Sequence, residues 1–409
     1  MQSIIHRMPA AQLEMHVVTE PAGLQELRPF WTKFNTHPDA DIDSYSLLLA
    51  QRPKAVTPFV LAATEKGELK AIMIGRSEDT LIHVKAGYLP LLRSRARQIT
   101  FLQDGFLGDR SPGMAKALVL EILKRLKAGA ADRALLERVG VDTDLYRLAR
   151  TLPGALSRDL SNEITECWST TLPSSLTEFL KRRSKKHRYW LRRIDRVFEE
   201  DFHGRVNFKI YKSKSDVASF CACAEQVASE TYQRGLNVGF VDDIEHRRRL
   251  ELAGDKGWLR AYVALIGQEP VAFWCGRLCG GVMALDWTGF NPRYRKYEVG
   301  TVLFLKMVED LCSAGASAID YGSGTSFYKE RFGDDKHEKG LVYIYAPTAK
   351  GFGLNLLKAM ELVANRSAKS LARKLGVIDR VKKLWRGRLL KTTSDIEVGA
   401  KSGVGVEVE

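Results

Sequence analysis

A group of cations precedes a predicted helix start between the strand-like run VMALDWTGF and the helical run TVLFLKMVEDLCSAG. The unpaired backbone N–H groups of a helix start favour anions, and a glycine lets a phosphate approach the backbone closely. The segment therefore predicts a phosphate or pyrophosphate site, whose candidate residues are Arg293, Arg295, Lys296, Gly300 and Thr301. Glu298 opposes tight anion binding unless it points away. The alternative is an ordinary turn with surface cations.

Two phenols and one lysine follow the next predicted strand, in the segment DYGSGTSFYKERFG. The phenols of Tyr321 and Tyr328 have a reference pKa near ~10 and are candidate general acids. Lys329 directly follows Tyr328 and adds a cation to this segment. The alternative is that Tyr328 and Phe332, four residues apart, pack one helix face while Lys329 is solvated.

Two carboxylates are rival candidates for a general base. Glu230 follows a predicted helix and could take a proton from an ammonium group, directly or through water. Asp286 lies in the last strand of an apolar meander, where burial would raise the pKa of its carboxyl. Asp286 could equally be the satisfied partner of a nearby arginine.

Other chemistries lack their sequence patterns. The chain has no GxSxG, GxxxxGK[ST], HExxH or GxGxxG motif, and its eight histidines form no ligand-spaced pair. The six cysteines include no CxxC pair, which argues against a metal site and indicates a reducing, cytoplasmic environment. No run of 18 apolar residues is present, so we expect no transmembrane helix and no secretory signal.

The net charge of +14 is concentrated in two segments. Residues 181–196 carry nine Lys or Arg and one Asp, and residues 350–391 carry twelve Lys or Arg and two acids. Such segments attract nucleic acid, anionic lipid or the phosphates of a cofactor, although long cations also simply solvate helix surfaces. In the first segment Leu191, Ile194 and Phe198 share one face, which predicts a helix docked by its apolar side.

The element order predicts two α/β domains, each with a mixed, mostly antiparallel central sheet flanked by helices. A chain of 409 residues exceeds the ~250–300 that one core supports. Strand, helix, helix, three-strand meander, helix, strand, helix and strand follow one another clearly in the second half and approximately in the first. We place the domains at 1–171 and 172–349, with a basic helix at 179–200. A basic amphipathic tail at 350–391 and a disordered end at 392–409 complete the prediction.

Four stretches of the second half resemble a known superfamily: TYQRGLNVGF (231–240), GWLRAYVALIGQEPVAFWCG (257–276), TGFNPRYRKYEVGTVLFLKMVEDL (288–311) and IDYGSGTSFYKERFG (319–333). They are similar to Gcn5-related N-acyltransferases (GNAT), in particular to the BioF2-like and CelD-like subgroup, which is related to the FemAB peptidyltransferases. The resemblance implies two tandem GNAT-like domains, of which the second performs the chemistry. It implies that the loop before Gly300 holds the pyrophosphate of acetyl-CoA or another acyl-CoA, and that no metal is used. Only one glycine of the usual glycine-rich loop remains in this sequence.

The function implied by this resemblance is transfer of an acyl group to an amine, with an amino sugar or a polysaccharide or cell-envelope precursor as the acceptor. In this family a tyrosine such as Tyr321 or Tyr328 protonates the departing thiolate, and a lysine such as Lys329 stabilises the oxyanion. One alternative is a FemAB-like transferase that takes its donor from aminoacyl-tRNA, bound by the helix at 181–196. The other is a degenerate, non-catalytic scaffold of a polysaccharide-synthesis complex, held at the inner face of the membrane by residues 353–391.

Overall fold

The structure, a computed structural model, describes residues 13–53, 55–86, 89–231, 234, 239–324 and 326–374. It divides into two compact units. Unit 1 comprises residues 1–167 and 337–369, and unit 2 comprises residues 168–336 and 370–409. In both units helices flank a mixed and mostly antiparallel sheet, as the sequence predicts.

The described strands are β1 (Leu13–Val18), β2 (Val56–Pro58), β3 (Val60–Glu65), β4 (Glu68–Ala86), β5 (Leu89–Gly108), β6 (Arg133–Gly140), β7 (Glu163–Thr171), β8 (Val206–Tyr211), β9 (Leu259–Ile266), β10 (Glu269–Cys279), β11 (Val282–Phe290), β12 (Ala318–Ser323) and β13 (Asp335–Tyr345). The α-helices within the same residues are α1 (Pro21–Phe34), α2 (Ile42–Gln51), α3 (Pro112–Lys127), α4 (Asp144–Thr151), α5 (Leu176–Lys181), α6 (Lys185–Asp201), α7 (Val217–Ser229), α8 (Ile244–Asp255), α9 (Val299–Ser313), α10 (Phe327–Phe332) and α11 (Ala349–Lys374).

The sheet of unit 1 has the strand order β1-β3-β4-β5-β6-β13, and β2 pairs with β4. Its pairs are antiparallel except β5 with β6, which run parallel. The apolar face of α3 packs on this sheet through Leu118, Val119 and Ile122, all of them fully buried. The helix repeat therefore places the bulky residues of α3 against the strands, as an amphipathic sequence dictates.

Strand β13 differs from its predicted place. The sequence puts the run LVYIYA (341–346) at the end of the second domain, whereas in the structure residues 342–345 pair with β6 of unit 1. The two faces of the strand explain this pairing. Val342 and Ile344 enter the core around α3, while Tyr343 and Tyr345 pack with Leu354 of α11. Both faces of the strand are thus covered by residues of unit 1.

The sheet of unit 2 has the strand order β7-β12-β11-β10-β9-β8. Strands β9, β10 and β11 form the predicted three-strand antiparallel meander, and β11 pairs with β12 in parallel. Helix α9 packs on β9 and β10 with a nearly continuous set of buried residues, including Val302, Phe304 and Val308. This helix is the rigid element whose first turn borders the candidate site.

The basic segment at 181–196 lies in α5 and α6, which are separated at Ser184, the N-cap of α6. Leu191, Ile194 and Phe198 are buried, which confirms the predicted apolar docking face. The cationic side chains therefore project from the opposite face of α6.

Helix α11 forms the beginning of the predicted basic tail. Leu354 and Asn355 are buried in unit 1, and the Asn355 amide binds the backbone of Arg158 and Leu160. Other apolar side chains of this helix are exposed: Phe352, Leu356, Met360 and Val363. The rest of the tail and the end predicted to be disordered, residues 375–409, lie outside the described residues.

Candidate active site

Strands β11 and β12 separate next to the predicted donor site. They pair over Val282–Ala284 and Ala318–Asp320, and no pairing between the described residues of the two strands continues beyond these positions. Strand β11 runs on to Phe290 along β10. Its free edge therefore presents backbone N–H and C=O groups toward the opening, where an acyl carbonyl can be held.

A β-bulge lies where this separation begins. Cys275 of β10 is paired with Trp287 and Gly276 with Leu285, so Asp286 is the extra residue of β11. A bulge leaves one backbone position out of the ladder and redirects the neighbouring side chains. An added Cβ at Gly276 would stand 2.2 Å from the Ala284 carbonyl oxygen, which explains why β10 has a glycine at this point.

The first turn of α9 follows β11 and borders the opening between β11 and β12. A 3₁₀ turn, Pro292–Tyr297, leads to Glu298, which has the left-handed backbone angles φ 53° and ψ 38° and makes no side-chain cap to the helix. An added Cβ at Gly300 would meet only Phe290, at 3.8 and 3.9 Å, so the space above this backbone is open. The first turn of α9 can therefore accept an anion, the chemistry that a pyrophosphate requires.

The predicted cations do not converge on this turn. Arg293 pairs with Glu269 of β10, and the ammonium of Lys296 lies 4.5 Å from the centre of the Tyr297 ring. Both residues lie near the helix start in the sequence, but the 3₁₀ turn directs their side chains toward Glu269 and Tyr297. Arg295 makes no comparable contact with any residue that the structure describes.

Arg331 of α10 is the cation that contacts the start of α9, and the sequence analysis missed it. Its Nη1 lies 3.2 Å from Glu298 Oε2 and 3.4 Å from Thr301 Oγ1. The guanidinium stacks between Trp190 of α6 and Phe327, 4.4 and 4.1 Å from their ring centres. Because 30 or more residues separate Arg331 from Glu298 and Thr301, no local pattern could have revealed this contact.

Thr301, which the sequence places at the donor site, lies in the same cluster. Its hydroxyl donates to Glu298 Oε2 at 3.2 Å. Glu298 thus does not extend freely into the opening, since its carboxylate is held by Thr301 and Arg331.

Tyr321 and Tyr328 lie in one aromatic cluster with their ring centres 6.2 Å apart. Tyr321 is almost fully buried, and this burial raises the pKa of its phenol. Tyr328 is half-buried and packs edge-on against Trp274, with ring centres 5.0 Å apart. Tyr328 is therefore the more accessible of the two candidate acids.

Trp274 of β10 connects this cluster to the start of α9. Its indole N–H donates to the Gly300 carbonyl at 2.9 Å, and the residue is buried. The sequence analysis did not identify Trp274, because a tryptophan in an apolar strand is typical of any core.

Lys329 is buried although it lies on the short helix α10. Its Nζ donates to the Ser323 carbonyl at the end of β12, at 2.7 Å. This burial excludes the alternative that Lys329 is a solvated surface lysine. The contact also holds the ammonium at the end of the strand that borders the opening.

Asp286 is the centre of an ion-pair network. Arg277 binds both carboxylate oxygens at 2.8 Å, and Arg249 of α8 donates to Oδ1 at 2.7 Å. The side chains of Asp286 and Arg277 are 8% and 3% exposed. This geometry matches the alternative of a paired carboxylate, since both oxygens of Asp286 are bound by arginines.

Glu230, the other candidate base, is exposed at the C-cap of α7. The stretch that follows it, 231–240, includes residues 232–233 and 235–238, which lie outside the described residues. Nearby, Glu225 binds Arg234 and accepts a hydrogen bond from the Asp242 backbone N–H, and thereby fixes the local chain.

Taken together, unit 2 places Tyr321, Tyr328, Lys329, Gly300 and Thr301 around the first turn of α9 and the end of β12. Glu230 and Asp286 lie near α7 and α8, beside the core that contains Phe240. Among the described residues no group of three or more His, Cys, Asp or Glu could hold a metal ion. The helices of the described part include none that is long and apolar enough to cross a membrane.

The sequence model of the acetyltransferase (GNAT) domain family matches residues 185–330, which contain the meander, α9 and most of α10. No curated protein matches the sequence significantly.

Among solved structures, FemX is similar with a TM-score of 0.53 and 12% identity, over 81% of this chain and 97% of FemX. The C-terminal domain of a putative lysylphosphatidylglycerol synthetase from Agrobacterium fabrum matches with a TM-score of 0.49 and 14% identity, over 83% of this chain and 97% of that one. A tandem GNAT protein from the clavulanic acid biosynthesis pathway matches with a TM-score of 0.42 and 10% identity, over 83% of this chain and all of that one. Residues 185–330 thus resemble an acetyltransferase (GNAT) domain, and the chain is similar to FemX in fold.

Proposed function

We propose that unit 2 is an N-acyltransferase that moves an acyl group, such as acetyl, from acyl-CoA to an amine. The observation that supports this proposal is the separation of β11 and β12 beside an uncapped helix start at α9. The strand edge offers donors for the acyl carbonyl, and the helix start offers donors for the pyrophosphate. By family resemblance, the acceptor is an amino sugar or another precursor of a polysaccharide or of the cell envelope.

The reaction needs positioning and two proton transfers, without a covalent enzyme intermediate. The neutral amine nitrogen attacks the thioester carbonyl carbon, the C–S bond breaks, and coenzyme A leaves as a thiolate. Tyr328 donates a proton to that thiolate, directly or through water. The attacking nitrogen loses its proton to Glu230 or to solvent, since Asp286 is held by Arg277 and Arg249.

Lys329 has an electrostatic role in this scheme. Its ammonium is buried at the end of β12, where an effective dielectric below that of water strengthens its effect on a developing oxyanion. Arg331 and the N–H groups of α9 would hold the donor phosphates after Glu298 moves aside.

The experiment is to titrate the purified full-length chain with acetyl-CoA and to measure acetylation of glucosamine. Lys329→Ala and Tyr328→Phe should each lower kcat at least tenfold while the Kd for acetyl-CoA stays near that of the wild type. Lys306→Ala, which removes a lysine on the outer side of α9, is the matched control and should keep full turnover. If both site variants keep the wild-type rate, this assignment of the active site fails.

One feature, the cationic face of α6, favours aminoacyl-tRNA as a second candidate donor. Lys185, Lys186, Arg192, Arg193 and Arg196 are all exposed on this helix. An aminoacyl-tRNA would meet such a face through its phosphates, with an affinity that falls steeply as salt rises. Titration with charged tRNA between low and physiological salt distinguishes the donors, because acetyl-CoA bound at the start of α9 should respond to salt much more weakly.

A further inference from the structure

One side of helix α11 is firmly docked on unit 1. Leu354 and Asn355 are buried, and Lys358 pairs with Glu163 at 2.5 Å. With 100° between successive residues, these three positions of the helix lie within about 100° of one another around its axis. They therefore define the side of α11 that faces the unit.

An apolar stripe runs along the other side of the same helix. Its members, Phe352, Leu356, Met360 and Val363, are 39–63% exposed. Their spacing of four, four and three residues places them within about 80° of one another and along about 16 Å of the helix. The centre of this stripe lies about 150° from the docked side, so α11 presents a continuous apolar face to solvent.

Two more exposed leucines lie in the segment that is bound to this helix. Leu156 and Leu160 are 55% and 51% exposed, and the Leu160 backbone N–H donates to the Asn355 side chain at 3.1 Å. Six of the fourteen large apolar side chains that are exposed in the described part of the chain thus lie within 156–160 and 352–363. Single exposed apolar residues are ordinary, but such a concentration marks an interaction surface.

The sequence that continues the stripe is strongly cationic. Residues 364–374, the last part of α11, contain four Lys or Arg and no acid, and residues 375–391 contain six Lys or Arg and one Asp. An apolar helix face combined with many cations is typical of helices that lie in the interface of an anionic membrane. There the apolar side chains enter the boundary of the acyl chains, and the cations attract the lipid phosphates.

Charge also argues against a second copy of this chain as the occupant of the stripe. Two α11 helices that packed through their stripes would bring two segments with the same positive excess together. Like charges oppose such a pair, whereas an anionic lipid surface has the complementary sign. The stripe therefore fits a membrane better than it fits its own copy.

We propose that α11 docks on an anionic membrane surface, with Phe352, Leu356, Met360 and Val363 entering the boundary between head groups and acyl chains. Leu156 and Leu160 add apolar area, and the positive charge of residues 364–391 attracts the lipid phosphates. The proposal concerns unit 1 and holds for an active acyltransferase as well as for a non-catalytic scaffold.

The experiment measures co-sedimentation of the full-length chain with two kinds of vesicle, phosphatidylcholine alone and phosphatidylcholine mixed with phosphatidylglycerol. The mixed vesicles should bind the chain about tenfold or more tightly than the neutral ones, and rising salt should weaken this binding. Equal affinity for the two kinds of vesicle, or binding to neither, would overturn the proposal.

Two double variants locate the contact on α11. Leu356→Ser with Met360→Ser keeps every cation of the chain, including those of α6, and should lower the affinity for mixed vesicles about tenfold or more. Leu356→Met with Met360→Leu keeps the stripe apolar and should bind like the wild type. Leu120→Ser, which changes a leucine of similar exposure on α3, is the matched control and should have no effect.

The serine double variant decides between the occupants. Wild-type vesicle affinity in this variant, with its fold verified by circular dichroism, would refute the role of the stripe. A dimeric wild type that becomes monomeric in this variant, measured by sedimentation velocity, would make the stripe an interface between copies instead. Acetyl-CoA binding is measured in parallel and should be the same in all variants as in the wild type, which separates this test from that of the active site.

Discussion

Glu298 provides the sharpest test of the α9 start, because its backbone and its charge have separable effects. Its φ of 53° is strained for any residue with a Cβ, and its carboxylate is bound to Arg331 and Thr301. Both Glu298→Gly and Glu298→Ala remove the carboxylate, and Glu298→Gly alone also relieves the backbone strain. The difference between the two variants isolates the conformational effect.

The expected difference in stability follows from two opposing terms. Left-handed geometry costs alanine about 1–2 kcal/mol, and the greater freedom of glycine in the unfolded chain offsets about 0.5–1 kcal/mol of this. The glycine variant should thus have a free energy of unfolding about 0.5–1 kcal/mol larger than that of the alanine variant. This order is opposite to that inside a helix, where alanine is the more stable by about 1 kcal/mol. Urea denaturation of both proteins measures the difference, and a more stable alanine variant would refute the left-handed backbone at this position.

Donor affinity tests the charge of Glu298. If the carboxylate lies about 6 Å from a donor phosphate, at an effective dielectric of about 40–80, its repulsion amounts to about 0.7–1.4 kcal/mol. Both variants should then bind coenzyme A about 3- to 10-fold more tightly than the wild type. Glu309→Ala, which removes an exposed carboxylate near the other end of α9, is the control and should not change the affinity. Unchanged affinity in both Glu298 variants, in a protein that does bind coenzyme A, would mean that the phosphates lie elsewhere.

Three further predictions concern other parts of the chain. Asp286→Asn should lower the free energy of unfolding by about 3–5 kcal/mol, because it leaves Arg277 buried without its carboxylate partner. A variant that is as stable as the wild type but inactive would instead indicate that Asp286 is the general base. Burial, Arg183 and Arg331 lower the pKa of His187 below 6.5. The contribution of His187 to stability is therefore present above pH ~6.5 and is lost as the pH falls through the folded-state pKa. His187→Gln should flatten this part of a stability–pH profile, and an unchanged slope would contradict the assignment. Asn355→Ala should lower the free energy of unfolding by about 1–3 kcal/mol, since it removes two hydrogen bonds between the buried Asn355 amide and the backbone of residues 158 and 160. Urea unfolding measures this loss, and a change below ~0.5 kcal/mol would show that α11 is not anchored there.

The sequence predicted the parts of the fold that are encoded locally. Alternating apolar residues and tight turns identified the meander, and the helical spacing of Leu191, Ile194 and Phe198 identified the buried face of α6. The place of β13 in the sheet was harder to predict, because its apolar pattern indicates a buried strand but not which strand it pairs with. Partner choice depends on which faces remain uncovered in the folded chain, and no local pattern contains that information.

The candidate site shows the same limit. The sequence before α9 predicted the start of this helix. It did not predict that the 3₁₀ turn would direct the Arg293 side chain toward Glu269. The cation that does contact the turn, Arg331, comes from a helix some 30 residues further along the chain. The pairing of Asp286 with an arginine was foreseen as an alternative, since Arg277 lies nine residues away on the adjacent strand of one hairpin. Long-range pairs require the fold, whereas hairpin pairs can be proposed from sequence.

The two units use one strand arrangement but differ in the capping of the helix that follows it. In each, a parallel strand pair separates after a few residues. At α9 the helix start carries no side-chain cap and a nearby arginine, while at α3 Asp109 and Ser111 already occupy the helix start. The N–H groups at the start of α9 therefore remain available to an anion, whereas those at the start of α3 are already satisfied by a side chain. An anionic thioester accordingly suits the opening of unit 2 better than that of unit 1.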